Sequence, residues 1–200
     1  MAQQGINNRK DILLLLLYSP GRSGRTCELI SGRTRLVKML FLFRHEALNH
    51  FRKGTEITEE NFYDFFPWDF GPFSPQAYDD LVFFILRGFV ETSDSDDPAL
   101  PESAEEWEHW LDSGAEEWDS GETIIEYTEE QFALTQEGRL WVETHLWPLL
   151  SRAQKQLLQE FKARLVRAPL RAILRYVYDK YPSMVRVSKI RERILGEYLG

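Results

Sequence analysis

The residue types that carry chemistry are sparse in this chain, and their spacing argues against most reactions. The single cysteine, Cys27, excludes an internal disulfide and a cysteine-based zinc site. His45-Glu46-Ala47-Leu48-Asn49-His50 approaches a zincin motif, but its histidines are five apart. A zinc pair of that type sits four apart on one helical face. The four histidines form no Ser-His-Asp or Cys-His pattern by spacing. Gly21-Arg22-Ser23-Gly24-Arg25-Thr26 lacks the arrangement of a phosphate-binding loop. Asp79-Asp80 and Glu116-Glu117 are adjacent, which on a helix splays the carboxylates apart, and no calcium-loop pattern is present. The expectation is a protein with no catalytic residues, no metal and no cofactor: not an enzyme.

Charge segregation is more informative than the net value of −8. Of the 32 acidic residues, 17 lie between Gly88 and Gly138, a stretch with no Lys or Arg. The rest of the chain is therefore net basic, an asymmetry that bears on partners. Within residues 93–121, Trp107, Trp110 and Trp118 stand among Glu105, Glu106, Glu108, Asp112, Glu116, Glu117 and Asp119. Three readings follow: the rings pack back onto the protein, they anchor a partner, or the acidic segment covers the chain's own basic surface. Tryptophan surrounded by charge has the composition of a binding hot spot. The candidate partner-binding residues are therefore Trp107, Trp110, Trp118, Glu105, Glu106, Glu116 and Glu117. Arg33, Arg35, Lys38 and Arg44 fall on or near the more polar surface of a helix. They are read either as a solvated face or as a nucleic-acid-binding surface.

The elements that would position these residues centre on Phe62 to Val90. In Trp68-Asp69-Phe70-Gly71-Pro72-Phe73-Ser74-Pro75, Gly71 permits a tight turn and Ser74-Pro75 reads as the cap and first position of a helix. That helix is expected to turn Tyr78, Leu81, Val82, Ile85 and Leu86 inward and to stop at Gly88. The paired acids Asp79-Asp80 are expected to favour its N-terminal end. The aromatics of the turn from Phe70 to Ser74 are expected to be mostly buried.

Upstream, Asn7 or Asn8 caps a helix whose run Ile12 to Tyr18 has no polar face and should be buried on most sides. Thr26 to Gly32 is a short helix or loop. A second helix from about Thr34 through Leu48 turns Leu36, Met39, Leu40 and Phe43 inward. Downstream, Phe89 to Thr92 and about Ile124 to Thr135 read as a hairpin with the acidic insertion, about 93–121, at its tip. A helix follows from Glu137 through Trp147. Helices over Leu149–Val166 and from Pro169, with Leu170, Ile173, Leu174, Val177 and Tyr178 inward, form a basic C-terminal region. Ser188 is read as the cap of a last short helix.

Helix, helix, turn, helix and two paired strands is the order of a winged-helix domain. The expected fold is α+β: a winged-helix-like core over 1–147 whose two-stranded wing carries the acidic insertion, plus C-terminal helices over 148–200 packed on it as one unit. The longest apolar run is too short to span a bilayer, and the chain lacks a signal-peptide pattern. A cytoplasmic protein without membrane association is expected.

Three stretches resemble a known family. Gly32-Arg33-Thr34-Arg35-Leu36-Val37-Lys38-Met39-Leu40-Phe41 resembles the second helix of the YwgA-like family of uncharacterised bacterial proteins. Asp69-Phe70-Gly71-Pro72-Phe73-Ser74 resembles the family's turn, which is similar in the related SocA-like, Panacea-type antitoxins. Leu174-Arg175-Tyr176-Val177-Tyr178-Asp179-Lys180-Tyr181-Pro182 with Ser188-Lys189-Ile190 resembles its C-terminal signature. The resemblance implies protein binding as the activity, in an antitoxin-like or phage-defence setting, and carries over no catalytic residue. The acidic segment departs from the family pattern. The expected function is thus a non-enzymatic protein-interaction module, and the alternative is a winged-helix DNA-binding regulator.

Overall fold

A computed structural model describes residues 5–98 and 128–196 of the chain. It is a mixed α+β protein with two small antiparallel sheets. Helix α1 (Arg9–Tyr18) opens with a capping box, the Asn8 side chain accepting from the backbone N–H groups of Lys10 and Asp11 while Asp11 reaches back. Its seven consecutive residues Ile12 to Tyr18 are all buried, as an all-apolar helix requires.

The stretch after Tyr18 holds strand β1 (Ile30–Ser31) rather than a helix. Helix α2 (Arg33–Leu42) runs through a π-helical turn, Phe43–Ala47, into α3 (Leu48–Phe51). Leu36, Met39, Leu40 and Phe43 are buried, but so is Lys38. Strands β2 (Phe66–Trp68) and β3 (Gly71–Phe73) pair as a tight hairpin, Trp68 opposite Gly71. Gly71 has φ +86°, and a Cβ there would meet the Tyr178 ring at 3.0 Å, so the turn needs glycine for conformation and for space.

Helix α4 (Pro75–Leu86) starts at Ser74-Pro75 as expected, but the Ser74 hydroxyl is buried without a partner and makes no cap. Its end is a Schellman arrangement: Gly88 N–H bonds Ile85 O, Phe89 N–H bonds Phe84 O, and the rings of Phe84 and Phe89 stack. The buried face is Ala77, Asp80, Leu81 and Phe84, whereas Val82 and Leu86 are exposed. This rotates the helix from the expected facing, for a definite reason. Asp80 is pulled inward by Arg9, 2.8 Å away, and by Lys10 at 3.6 Å. The carboxylate thus serves a tertiary ion pair, and only Asp79 is left on the surface.

Strands β4 (Val90–Pro98) and β5 (Thr128–Leu134) form the expected hairpin, with Val90 opposite Leu134 and Thr92 opposite Phe132. Strand β1 joins the far edge of β5, so the sheet order is β1-β5-β4. Helix α5 (Gln136–Trp141), capped by Thr135, continues through a π turn, Val142–Leu146, and a 3-10 turn, Trp147–Leu149. Helix α6 (Arg152–Arg167) begins with a Ser151–Gln154 capping box, and α7 (Leu170–Lys180) buries the five expected residues Leu170, Ile173, Leu174, Val177 and Tyr178. The last helix, α8 (Arg191–Leu195), is not capped by Ser188, whose hydroxyl instead donates to Asp69 O at 2.9 Å.

The C-terminal helices are tied into the same core. Gln154 donates to Phe51 O, Lys162 to Leu17 O, and Arg35 to Leu165 O and Ala168 O. Among the described residues, no helix is long and apolar enough to cross a membrane.

Candidate interaction surfaces

The three family-like stretches, far apart in sequence, meet in one joint. Lys38 of α2 donates to Pro72 O in the hairpin at 2.9 Å. Gly71 abuts the Tyr178 ring, and the Tyr178 hydroxyl lies 2.7 Å from Ser188 Oγ. Lys189 pairs with Asp69 at 2.7 Å, while Phe41 meets Tyr181 edge-on at 4.9 Å. Burial pushes the Tyr178 phenol far above its ordinary range. Burial likewise pulls Lys38 down to about 7. The centre of the joint, Lys38, Gly71, Pro72 and Tyr178, is buried, while its Lys189–Asp69 pair lies at the surface, so it holds elements together.

Beside it, the π turn aims Glu46 at α6 and α7. Glu46 accepts from Arg164 at 3.0 Å, Tyr176 at 2.7 Å and Lys180 at 2.9 Å. Burial raises the Glu46 carboxyl, but hydrogen bonds from Lys180 and Tyr176 and the charges of Lys180 and Arg164 outweigh it, leaving the group below the usual range. Hydrogen bonds to the Tyr176 hydroxyl and to Glu46 hold Lys180 above its ordinary value. His45, one residue earlier, packs between the rings of Phe41 and Tyr181. Burial and the Arg44 charge hold it below the usual imidazole range.

The other feature is an exposed apolar face. The rotation of α4 turns Val82, Phe83 and Leu86 outward, Leu86 with 81% of its surface exposed. Helix α5 carries further exposed apolar side chains, Leu140 (62% exposed) and Trp141. The two helices are joined through Phe89, whose ring lies 5.7 Å from that of Trp141. Their close approach depends on Gly138, where a Cβ would stand 2.1 Å from Phe89 O. Thr135 closes the same corner by donating to Gly88 O at 2.6 Å. Phe83 is flanked by Lys10 Nζ, 4.1 Å from its ring centre, and by Arg87 at 5.4 Å.

The four cations considered for nucleic acid are not gathered on one free surface. Arg33 pairs with Glu130 at 2.7 Å, and Arg35 satisfies two carbonyls at the C-terminal end of α6. Lys38 is buried, contrary to its expected place on the polar side of the helix, because the Pro72 carbonyl receives it. Arg44 donates to Tyr63 O and lies 3.3 Å from Asp64. The candidates Trp107, Trp110, Trp118, Glu105, Glu106, Glu116 and Glu117 lie outside the described residues. The expected burial of the turn aromatics is only partial: Phe70 and Phe73 are half-buried, and Trp68 is 52% exposed. The turn spends its burial on Gly71 and Pro72 against α2 and α7 instead.

Lys162 is a second buried lysine, pulled down to about 7 by burial, with its ammonium nitrogen 2.8 Å from Leu17 O. Cys27 is half-buried in a left-handed backbone conformation, and burial raises its thiol, which favours the unreactive form. Among the described residues no group of three or more His, Cys, Asp or Glu side chains is placed to hold a metal ion. The apolar face had a signal in the sequence: Leu81 to Leu86 is an unbroken apolar run, wider than one buried stripe needs. The Glu46 hub had none. No protein-family model, curated protein or solved structure matches this chain.

Proposed function

We propose that this chain is a non-enzymatic protein-interaction module with a winged-helix-like core, and that the exposed face of α4 and α5 docks a protein partner. The winged-helix reading is supported by the element order α1, β1, α2, α4, β4, β5 and by the sheet order β1-β5-β4. In such a module the helix before the wing, here α4, is the recognition element.

One observation carries the choice of partner. The outward face of α4 offers Val82, Phe83 and Leu86 with a single carboxylate, Asp79; the helix itself contains no cation, and the two beside it, Lys10 and Arg87, lie against the Phe83 ring. Duplex DNA binding draws on phosphate neutralisation by Lys and Arg. A mainly apolar helix face with so few cations works against that and suits a protein surface, where exposed apolar patches mark interaction sites. The DNA-binding alternative is therefore the weaker reading for α4. The meeting of three family-like stretches in one joint supports the resemblance to the YwgA-like and SocA-like proteins, and with it an antitoxin-like or phage-defence setting.

The test is affinity capture by the full chain from its native cells, with Leu86→Asp and Trp141→Glu as controls, alongside a duplex-DNA mobility shift. A partner captured by the parent and lost with either substitution, without a change in melting temperature, supports the reading. Salt-sensitive duplex binding with no captured partner overturns it.

A further inference from the structure

We propose that the helical hairpin formed by α6 and α7 carries a second docking site, one that takes an acidic peptide segment through a single aromatic side chain. This inference goes beyond the α4–α5 face and shares no residue with it.

Between α6, α7 and Leu42 of α2 lies an open slot of about 180 Å³. Its walls are Leu165, Ala168, Ala172 and Ile173, with Arg164 and Tyr176 at the rim. Small-molecule sites enclose about 300–1,000 Å³. This slot is smaller and open, the size of one large side chain. The walls are fixed before anything binds. Arg35 reaches across from α2 and donates to Leu165 O at 2.7 Å and to Ala168 O at 2.6 Å, both from wall residues. Glu46 holds Arg164 and Tyr176 from behind at 3.0 and 2.7 Å. Such preorganisation lowers the ordering cost of binding.

The charge around the slot selects the occupant. Arg164 and Arg167 on α6 and Arg171 and Arg175 on α7 are all exposed. Arg171 and Arg175 form an i, i+4 row beside Ala172 and Tyr176, which line the slot. Arg164 is engaged by Glu46, and Arg175 loosely by Asp179 at 3.9 Å. Among the described residues Arg167 and Arg171 have no ion-pair partner. An apolar slot with Arg164 at its rim and further exposed guanidinium groups on the two helices that wall it fits a peptide that offers an apolar anchor flanked by carboxylates. Aromatic anchors and arginines are the side chains that concentrate binding energy in such a pocket. Arginine also pairs with carboxylate through two parallel hydrogen bonds. A nucleic-acid backbone would use the arginines and leave the slot empty.

The test uses the full chain and a labelled twelve-residue Glu/Asp-rich peptide with one central Trp, followed by fluorescence anisotropy. Binding should weaken as salt rises and fall at least tenfold when the peptide Trp is replaced by Ala. It should fall at least as far in the Arg167→Glu, Arg171→Glu double variant, and in Ala172→Trp, which fills the slot from within. Far-ultraviolet dichroism of each variant shows that it still folds. No binding by the full chain overturns the proposal, and so does binding that ignores the peptide Trp and the Ala172→Trp change. A single- or double-stranded oligonucleotide that displaces the peptide and is itself insensitive to Ala172→Trp makes the face a nucleic-acid surface and also overturns it. Binding that emerges only after residues 99–127 are replaced by a Gly-Ser linker assigns the slot to the chain's own acidic segment rather than to a partner, with the same result.

Discussion

Replacing Lys38 by methionine should make the protein more stable at pH 6 and less stable at pH 10. Burial lowers the Lys38 ammonium to about 7 from 10.5. That difference corresponds to about 5 kcal/mol of destabilisation whenever the ammonium is kept charged inside. The sign follows from proton counting. Between pH 7 and 10.5 the unfolded chain holds a proton on this lysine that the folded chain lacks, so wild-type stability rises with pH at up to about 1.4 kcal/mol per pH unit. Below pH 7 both states are protonated and the full penalty is present. Methionine removes the penalty but leaves Pro72 O without its donor, a loss of about 1–3 kcal/mol. The variant should therefore gain about 2–4 kcal/mol at pH 6. At pH 10 the remaining lysine penalty is only about 0.8 kcal/mol, and the lost hydrogen bond then dominates. Denaturant melts of both proteins across pH 6 to 10 measure the difference, from which all other titrating groups cancel. A difference that stays constant with pH would refute the burial argument.

Lys162, whose ammonium donates to Leu17 O, should behave similarly when changed to methionine, and the double variant should flatten the alkaline rise further. Gly138→Ala should cost at least about 1–3 kcal/mol in thermal melts, because its Cβ would stand 2.1 Å from the Phe89 carbonyl and must push α5 off the corner. Glu46→Gln should weaken the hub of Arg164, Tyr176 and Lys180 at neutral pH by about 1 kcal/mol, since Arg164 and Lys180 are exposed and screened by solvent. Since the folded Glu46 carboxyl lies below its ordinary value, its stabilisation is complete above that value and is lost as pH falls through the folded one; the variant should show a shallower acid limb. Phe73→Ala should cost less than the about 3–5 kcal/mol of a fully buried phenylalanine, because the ring is half-buried against Tyr78, Trp68 and Phe66.

Where one local pattern decides an element, the sequence was enough. The apolar run Ile12 to Tyr18 and the spacing of Leu170, Ile173, Leu174, Val177 and Tyr178 each predict what the structure contains. The hairpin of β4 and β5 was legible for the same reason. Facing was not legible where a distant group sets it. Asp80 turns inward because Arg9, 71 residues earlier, meets it there, and that contact rotates Leu86 into solvent. Lys38 is buried because a proline carbonyl 34 residues away accepts its hydrogen bond, whereas a lysine amid apolar neighbours ordinarily marks the polar edge of a helix. Strand β1 has two residues and exists through its pairing with β5, so no alternation could reveal it. The π turn that aims Glu46 at α6 and α7 leaves no compositional mark.

The most direct test of the docking face is site-specific photo-crosslinking in native cells, with a benzophenone side chain at position 86 or 141 and, as a control, at the exposed Gln159 of α6. Each position is on the surface, so folding should be preserved to within about 0.5 kcal/mol. The account predicts one discrete protein adduct from positions 86 and 141 that is absent from position 159. Adducts to nucleic acid at position 86, or the same adducts from all three positions, would contradict it.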